Sequence, residues 1–234
     1  MAIETLIETL GGHPSRAYGL ALETPSGRAR WLCVARLASE RDPEATKREA
    51  YARLDAEIGA DPRALADADP TAVARCLAAT GLRRAEPVAH GLCRAARSLA
   101  VGYGADLERL AADCLDLDEL GGRLASLAPG LGRATVLRFL RPLRAAWSAA
   151  RETPLADTAR AAAIHLGLIG DGDDLEGEPA ALRRALDDAA PAAPFADVEA
   201  ALERLGAAAC RAGRIARCPL GEACPARPTG GHFR

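Results

Sequence analysis

The chain of 234 residues contains one lysine, Lys47, and carries the rest of its positive charge on arginine. Chemistry that needs a side-chain amine, Schiff-base formation above all, therefore has a single internal source. Aromatic residues make up only 3% of the sequence, and no segment alternates apolar and polar residues long enough to compete as a strand, with 17–22 the one stretch that could be extended. No apolar run approaches the ~18 residues of a membrane span. A basic-then-apolar leader is also lacking, so no signal peptide is expected and the expected location is the cytoplasm. In that compartment seven cysteines, odd in number and unevenly spaced, do not make a disulfide framework. The net charge of −2 offers no global attraction for nucleic acid, so any such binding must rest on a local patch. No internal repeat is present.

What remains is 49% hydrophobic and dominated by alanine, leucine and arginine, which favours an all-α fold with a sizeable core in one compact domain or two small lobes. Helix boundaries are legible. Asp42-Pro43 and Asp69-Pro70 each place an N-cap acceptor before a proline at the first helical position. The first is followed by Tyr51, Leu54 and Ile58 up to Gly59, the second by Val73 and Leu77 up to Gly81. Further helices are expected over 88–99, 107–114 and 118–127. The N-terminal helix over 3–10 is set apart by Gly11-Gly12 and a turn at Pro25-Ser-Gly27. A polar, acidic loop occupies 170–179, and Phe195, Val198, Leu202 and Leu205 give the last helix one apolar stripe.

The run Leu127-Ala-Pro-Gly-Leu-Gly-Arg-Ala-Thr135 reads as a helix-hairpin-helix turn. Pro129 stops one helix, Gly130 and Gly132 permit backbone angles and approaches that a Cβ would forbid, and Leu131 is an apolar peg between the two helices. The next helix, expected over 133–143, starts with free N–H groups at the positive end of its dipole. Such an end binds an anion, and a DNA phosphate suits it without any reading of bases. Arg133, Arg138, Arg141 and Arg144 follow, either as a DNA-facing stripe or as a solvated helix face.

The resemblance extends beyond the turn. Leu37-Ala-Ser-Glu-Arg-Asp42 resembles the end of the opening helix of the endonuclease III-like DNA glycosylases, the helix-hairpin-helix superfamily of base-excision repair. Thr80-Gly-Leu-Arg83 is similar to the turn before that family's middle helix. The segment 157–168, ending in Leu166-Gly-Leu168, resembles the one that carries the catalytic aspartate, and Cys218-Pro-Leu-Gly-Glu-Ala-Cys224 the last loop of its iron–sulfur site. The match covers roughly 30–225 in the family's order. It implies a two-lobed fold, with a six-helix lobe over 28–150 and a second lobe from 1–27 and 151–234. It also implies duplex DNA as partner, no membrane, and a monomer.

The residues implied as functional are then specific. Asp157 takes the catalytic place, where a carboxylate would support the positive charge that grows on the sugar as the base departs. A second reading stands beside it: the helix through Trp147 and Ala150 is extended, and Thr153-Pro154 could cap the next helix, leaving Asp157 as a first-turn acid that favours the dipole. DNA contacts fall to Pro129, Gly130, Leu131, Gly132, Arg133 and Thr135, with Arg41 or Glu40 in the wedge position. Where the bifunctional branch has its lysine stands Ala134, so an enzyme of this kind would be monofunctional and leave an abasic site. Cys210, Cys218 and Cys224 supply three thiolates of an iron–sulfur site whose fourth position is Ile215. Three could hold a three-iron cluster, or a four-iron one with an outside ligand, or could have lost the metal; the expectation is a cluster absent or labile. Cys33, Cys76, Cys93 and Cys114 lie on apolar faces and read as buried thiols. His165 reads as a packed residue rather than a base, and Trp31 and Trp147 as core rather than as base-stacking platforms. Two functions follow, a DNA glycosylase acting on a damaged or mismatched base, or a non-catalytic DNA-binding relative.

Overall fold

The computed structural model describes residues 3–172, 177–210, 218–221 and 224, and every regular element among them is helical. The chain forms two compact units, one of residues 15–151 and one that joins 1–14 to 152–234. In chain order the helices are α1 (Ile3–Leu10), α2 (Pro25–Ala38), α3 (Glu44–Glu57), α4 (Pro62–Asp67), α5 (Pro70–Ala78), α6 (Ala85–Tyr103), α7 (Leu107–Ala112), α8 (Leu117–Ser126), α9 (Arg133–Leu140), α10 (Asp157–His165), α11 (Glu178–Ala189) and α12 (Phe195–Leu205). No helix among the described residues is long and apolar enough to cross a membrane.

The central unit holds α2 to α9. Among the described residues it has eight helices where the resemblance implied six; α7 falls within the expected 107–114, whereas the short α4 was not expected, and both open on aspartate caps: Asp61 accepts from the N–H groups of Arg63 and Ala64, and Asp106 from that of Glu108. Asp69 caps α5 as its Asp-Pro pair predicts. Asp42 does not cap α3, whose N-cap is Pro43; its carboxylate is drawn instead to Arg83. Residues 15–27 also belong here rather than with the termini. Tyr18 and Leu20 are buried in the central core, and the segment read as a turn at Pro25 is the first turn of α2, capped by Thr24. Gly27 makes that possible, since a Cβ there would fall 1.9 Å from the Ala21 carbonyl oxygen. Residues 14–18, which overlap the start of the 17–22 stretch that could be extended, form a 3₁₀ helix. Trp31 and Trp147 are core residues, 2% and 5% exposed. The Trp31 indole N–H donates to the Phe139 carbonyl (3.2 Å) and that of Trp147 to Glu108 (2.8 Å), so both rings are committed to packing.

In the terminal unit α12 packs on α1 and α10. Val198, Leu202 and Leu205 of the expected stripe are fully buried. Arg204 on α12 donates to the carbonyls of Leu10, Gly11 and Gly12 (2.7 to 3.0 Å), satisfying the end of α1.

Candidate nucleic-acid interface

α8 stops after Ser126, where Leu127 and Ala128 are buried and Pro129 and Gly130 form an exposed turn. Gly130 has φ +95°, the left-handed region that favours glycine. The Leu131 N–H donates to the Ala128 carbonyl (3.3 Å), and its side chain is 3% exposed. It is the peg the sequence suggests. Gly132 then serves as N-cap of α9, with an ordinary φ of −68° and no side chain to cap the helix. A Cβ at Gly132 would meet nothing within 4 Å. Gly132, Arg133 and Ala134 are all exposed, so α9 begins at the surface with its first amides left for a ligand or solvent.

Thr135 is not available in the same way. It is 5% exposed, its hydroxyl donates to the Gly130 carbonyl (3.3 Å) and shares a hydrogen bond with Ser39 Oγ (2.8 Å). Ser39 also accepts from Arg138 (3.1 Å). Thr135 braces the turn to the end of α2. The arginines after the hairpin do not form one outward stripe. Arg133 is exposed, Arg138 and Arg141 are half-buried, and Arg144 is buried, its guanidinium donating to the Arg141 carbonyl (2.9 Å). The reason is that α9 ends at Leu140 and continues as a 3₁₀ turn, Arg141–Leu143, around Pro142.

Charges gather beside the hairpin on the segment that follows α2. Glu40, one of the two residues at the wedge position, is 9% exposed and receives Arg36 at 2.6 Å and Arg84 at 3.6 Å. It is held in an ion pair, whereas Arg41 is exposed. Arg83 donates from Nε to Asp42 (3.0 Å) and from Nη2 to the Arg41 carbonyl (2.9 Å). Burial alone would raise the Asp42 carboxyl, but the hydrogen bonds and charge of Arg83, with Lys47 behind them, hold it below the usual value.

Lys47, the sole lysine, is 12% exposed at its side chain and paired with Glu44 at 3.2 Å. At the family's lysine position Ala134 offers only a methyl group.

Asp157 is the first residue of α10, exposed, behind an N-cap Ala156 that makes no side-chain cap bond. The expected cap at Thr153-Pro154 does not form, since Thr153 is fully buried and outside the helix. Nor is the preceding helix extended: Trp147 precedes a separate 3₁₀ turn, Ser148–Ala150. Arg160, on the next turn of α10, is held protonated chiefly by its hydrogen bond to the buried Glu178, with smaller contributions from Asp171 and Asp157. His165 is half-buried at the end of α10.

Cys218 and Cys224 are buried and Cys210 partly so, all three in the core of the terminal unit. Burial, then the proximity of Cys218 and Cys224, pushes the Cys210 thiol up to about 11. The other four cysteines are buried in the central unit, Cys33 with its thiol pushed up to about 12 by burial and then by Asp55. Among the described residues no set of three His, Cys, Asp or Glu side chains is arranged to hold a metal ion. With four of seven cysteines committed elsewhere, the terminal unit supplies three sulfurs and does not complete a four-thiolate site. Ile215 lies outside the described residues.

No protein-family model matches the chain, and no curated protein sequence matches it. Six chains of solved structures do match. The fold is similar to that of a trapped endonuclease III–DNA covalent intermediate, an estranged-adenine complex, with 16% identity, a TM-score of 0.46, and 87% of this chain and 80% of that chain covered.

Proposed function

We propose that this protein is a base-excision repair protein that grips duplex DNA through the Pro129-to-Arg133 hairpin and hydrolyses the N-glycosidic bond of a damaged or mismatched base. The observation that carries the reading is the start of α9: Gly132 caps it without a side chain, at the surface, while Leu131 anchors the turn in the core. A helix start built this way holds a phosphate oxygen by backbone N–H groups and dipole, which fixes register on the duplex without specifying sequence. Arg41 enters the base stack on this reading, which its exposure beyond the end of α2 supports. Asp157 supports the sugar cation as the base leaves and orients the attacking water. With Ala134 at the hairpin and Lys47 held by Glu44, the reaction stops at an abasic site.

A panel of duplexes carrying single oxidised, alkylated, deaminated or mismatched bases, read for alkali-labile sites, tests this. Base release from at least one lesion, without strand cleavage before alkali and lowered ~100-fold or more in Asp157→Asn, is expected. Duplex binding with no release from any lesion would favour the second reading, a non-catalytic DNA-binding protein. The position of Asp157 in the first turn of α10, where an acid favours the helix dipole, is the observation on that side.

A further inference from the structure

The hairpin rests on a buried cation. Arg36 projects from α2 with its side chain 6% exposed, and its guanidinium sits directly behind the turn: a Cβ on Gly130 would fall 2.9 Å from Arg36 Nε and 3.4 Å from Cζ and Nη2. The hairpin is pressed close from a second side, where a Cβ on Gly91 of α6 would be 3.2 Å from the Pro129 carbonyl oxygen. Burying a guanidinium is costly unless its charge and donors are met. Here they are met only in part. Glu40 accepts from Nη1 at 2.6 Å, but the same carboxylate is shared with Arg84 at 3.6 Å, and Arg36 Nε has no hydrogen-bond partner among the described residues. Arg84 is 65% exposed at its side chain, so the buried charges beneath the turn are the Arg36 cation and the Glu40 carboxylate, and the cation is the one directly against Gly130.

Apart from Glu40, the surroundings of Arg36 do not call for a charge. The cavity that Arg36 lines is otherwise apolar, bordered by Leu32, Leu65, Leu92, Leu99 and Leu131, and an aliphatic side chain would suit it better. Its volume of about 20 Å³ is on the scale of one water molecule. A costly cation kept against the back of the turn whose front is the exposed start of α9 has a use if the front binds an anion, because a charge in a low-dielectric interior is weakly screened.

We propose that the Arg36–Glu40 pair sets the strength of the hairpin's hold on DNA phosphate, Arg36 adding its field to that of the α9 N-terminus and Glu40 limiting it. The proposal rests on the hairpin being the DNA grip. Arg36 is a positioning residue in this account: it touches the turn and not the phosphate.

The pair predicts opposite signs for two neighbouring substitutions, which a merely structural role does not. Affinity for an undamaged labelled duplex, measured by fluorescence anisotropy at low ionic strength, is expected to fall by ~3- to 10-fold in Arg36→Met and to rise by a similar factor in Glu40→Gln, with Arg36→Lys close to wild type. Thermal unfolding identifies any variant that does not fold. Glu40→Gln keeps size and an acceptor oxygen, and its sign alone decides the matter if Arg36→Met is unfolded. Weaker or unchanged binding in Glu40→Gln overturns the proposal, and so does unchanged binding in a folded Arg36→Met. Gly132→Val, measured alongside, separates the two levels. If it binds as wild type, the hairpin reading has failed; if it loses binding while the Arg36 and Glu40 variants behave as wild type, only the charge proposal has.

Discussion

Gly130 and Gly132 stand one residue apart and meet different demands. Gly130 needs its missing Cβ twice, for a φ of +95° and for the guanidinium of Arg36 at 2.9 Å from where that atom would lie. Gly132 has an allowed φ and open space around it. Gly130→Ala should therefore cost about 1–2 kcal/mol from the backbone alone, and more from the displaced Arg36. Gly132→Ala should stay within about 1 kcal/mol, the scale of an N-cap preference. Urea unfolding of the two variants checks this, and equal stability would contradict it. The pair looks symmetrical in the sequence because the φ of a glycine and the side chain behind it are tertiary facts. The role of the Thr135 hydroxyl is hidden for the same reason: its partners, Ser39 and Gly130, are tertiary neighbours. Arg36 gave no signal at all, since an arginine in an arginine-rich helix reads as solvated.

Cys33 supplies a second test at this scale. Its thiol is raised from 9.0 to about 12 by burial, so the folded state keeps a proton that the unfolded state releases. That contribution to stability is complete below pH 9 and is lost as pH rises from about 9 towards about 12, by about 1.4 kcal/mol per unit. Between pH 8 and pH 10.5 Cys33→Ala should lose less stability than wild type. Equal losses in urea titrations at the two pH values would contradict the assignment.

Among the elements, α9 decides what the hairpin can do chemically. Its first turn presents Arg133 and Ala134 at the surface, a cation that cannot lose its proton and a methyl group, so nothing there can form an imine. Borohydride should trap no protein–DNA adduct on abasic duplex. An adduct that persists in Lys47→Ala would contradict this and place the reacting amine at the α-amino group. Helices announced by Asp-Pro or by long apolar stripes, α5 and α12 among them, were legible in the sequence because caps and periodicity are local. α4 has the same Asp-Pro signal at Asp61-Pro62, but six residues are too few for a period to emerge. At Asp42-Pro43 the helix forms as expected but Asp42 does not cap it, since Arg83, 41 residues away, holds that carboxylate. The expected arginine stripe broke at Pro142, which turns the chain before Arg144.

For the molecule as a whole, composition settled the fold class, since few aromatics and abundant alanine and leucine left helices as the means of burying an apolar core. It did not settle the boundary between units, which depends on where Tyr18 and Leu20 are buried. The terminal unit brings Cys210, Cys218 and Cys224 into one core and keeps the other four thiols apart. Protein purified without oxygen should carry no stoichiometric, air-stable four-iron cluster. Iron and acid-labile sulfide near four each per chain would require a ligand that is not a cysteine.

The central claim is that the exposed, uncapped start of α9 holds DNA phosphate. The most direct measurement compares wild type with Gly132→Val for binding to an undamaged duplex at moderate salt, with far-UV circular dichroism recorded on both. The open space around Gly132 lets the fold accept the valine, while its two methyl groups would stand where the phosphate must approach. A loss of at least ~10-fold in affinity with unchanged helicity is predicted; equal affinity in the two proteins would contradict the account.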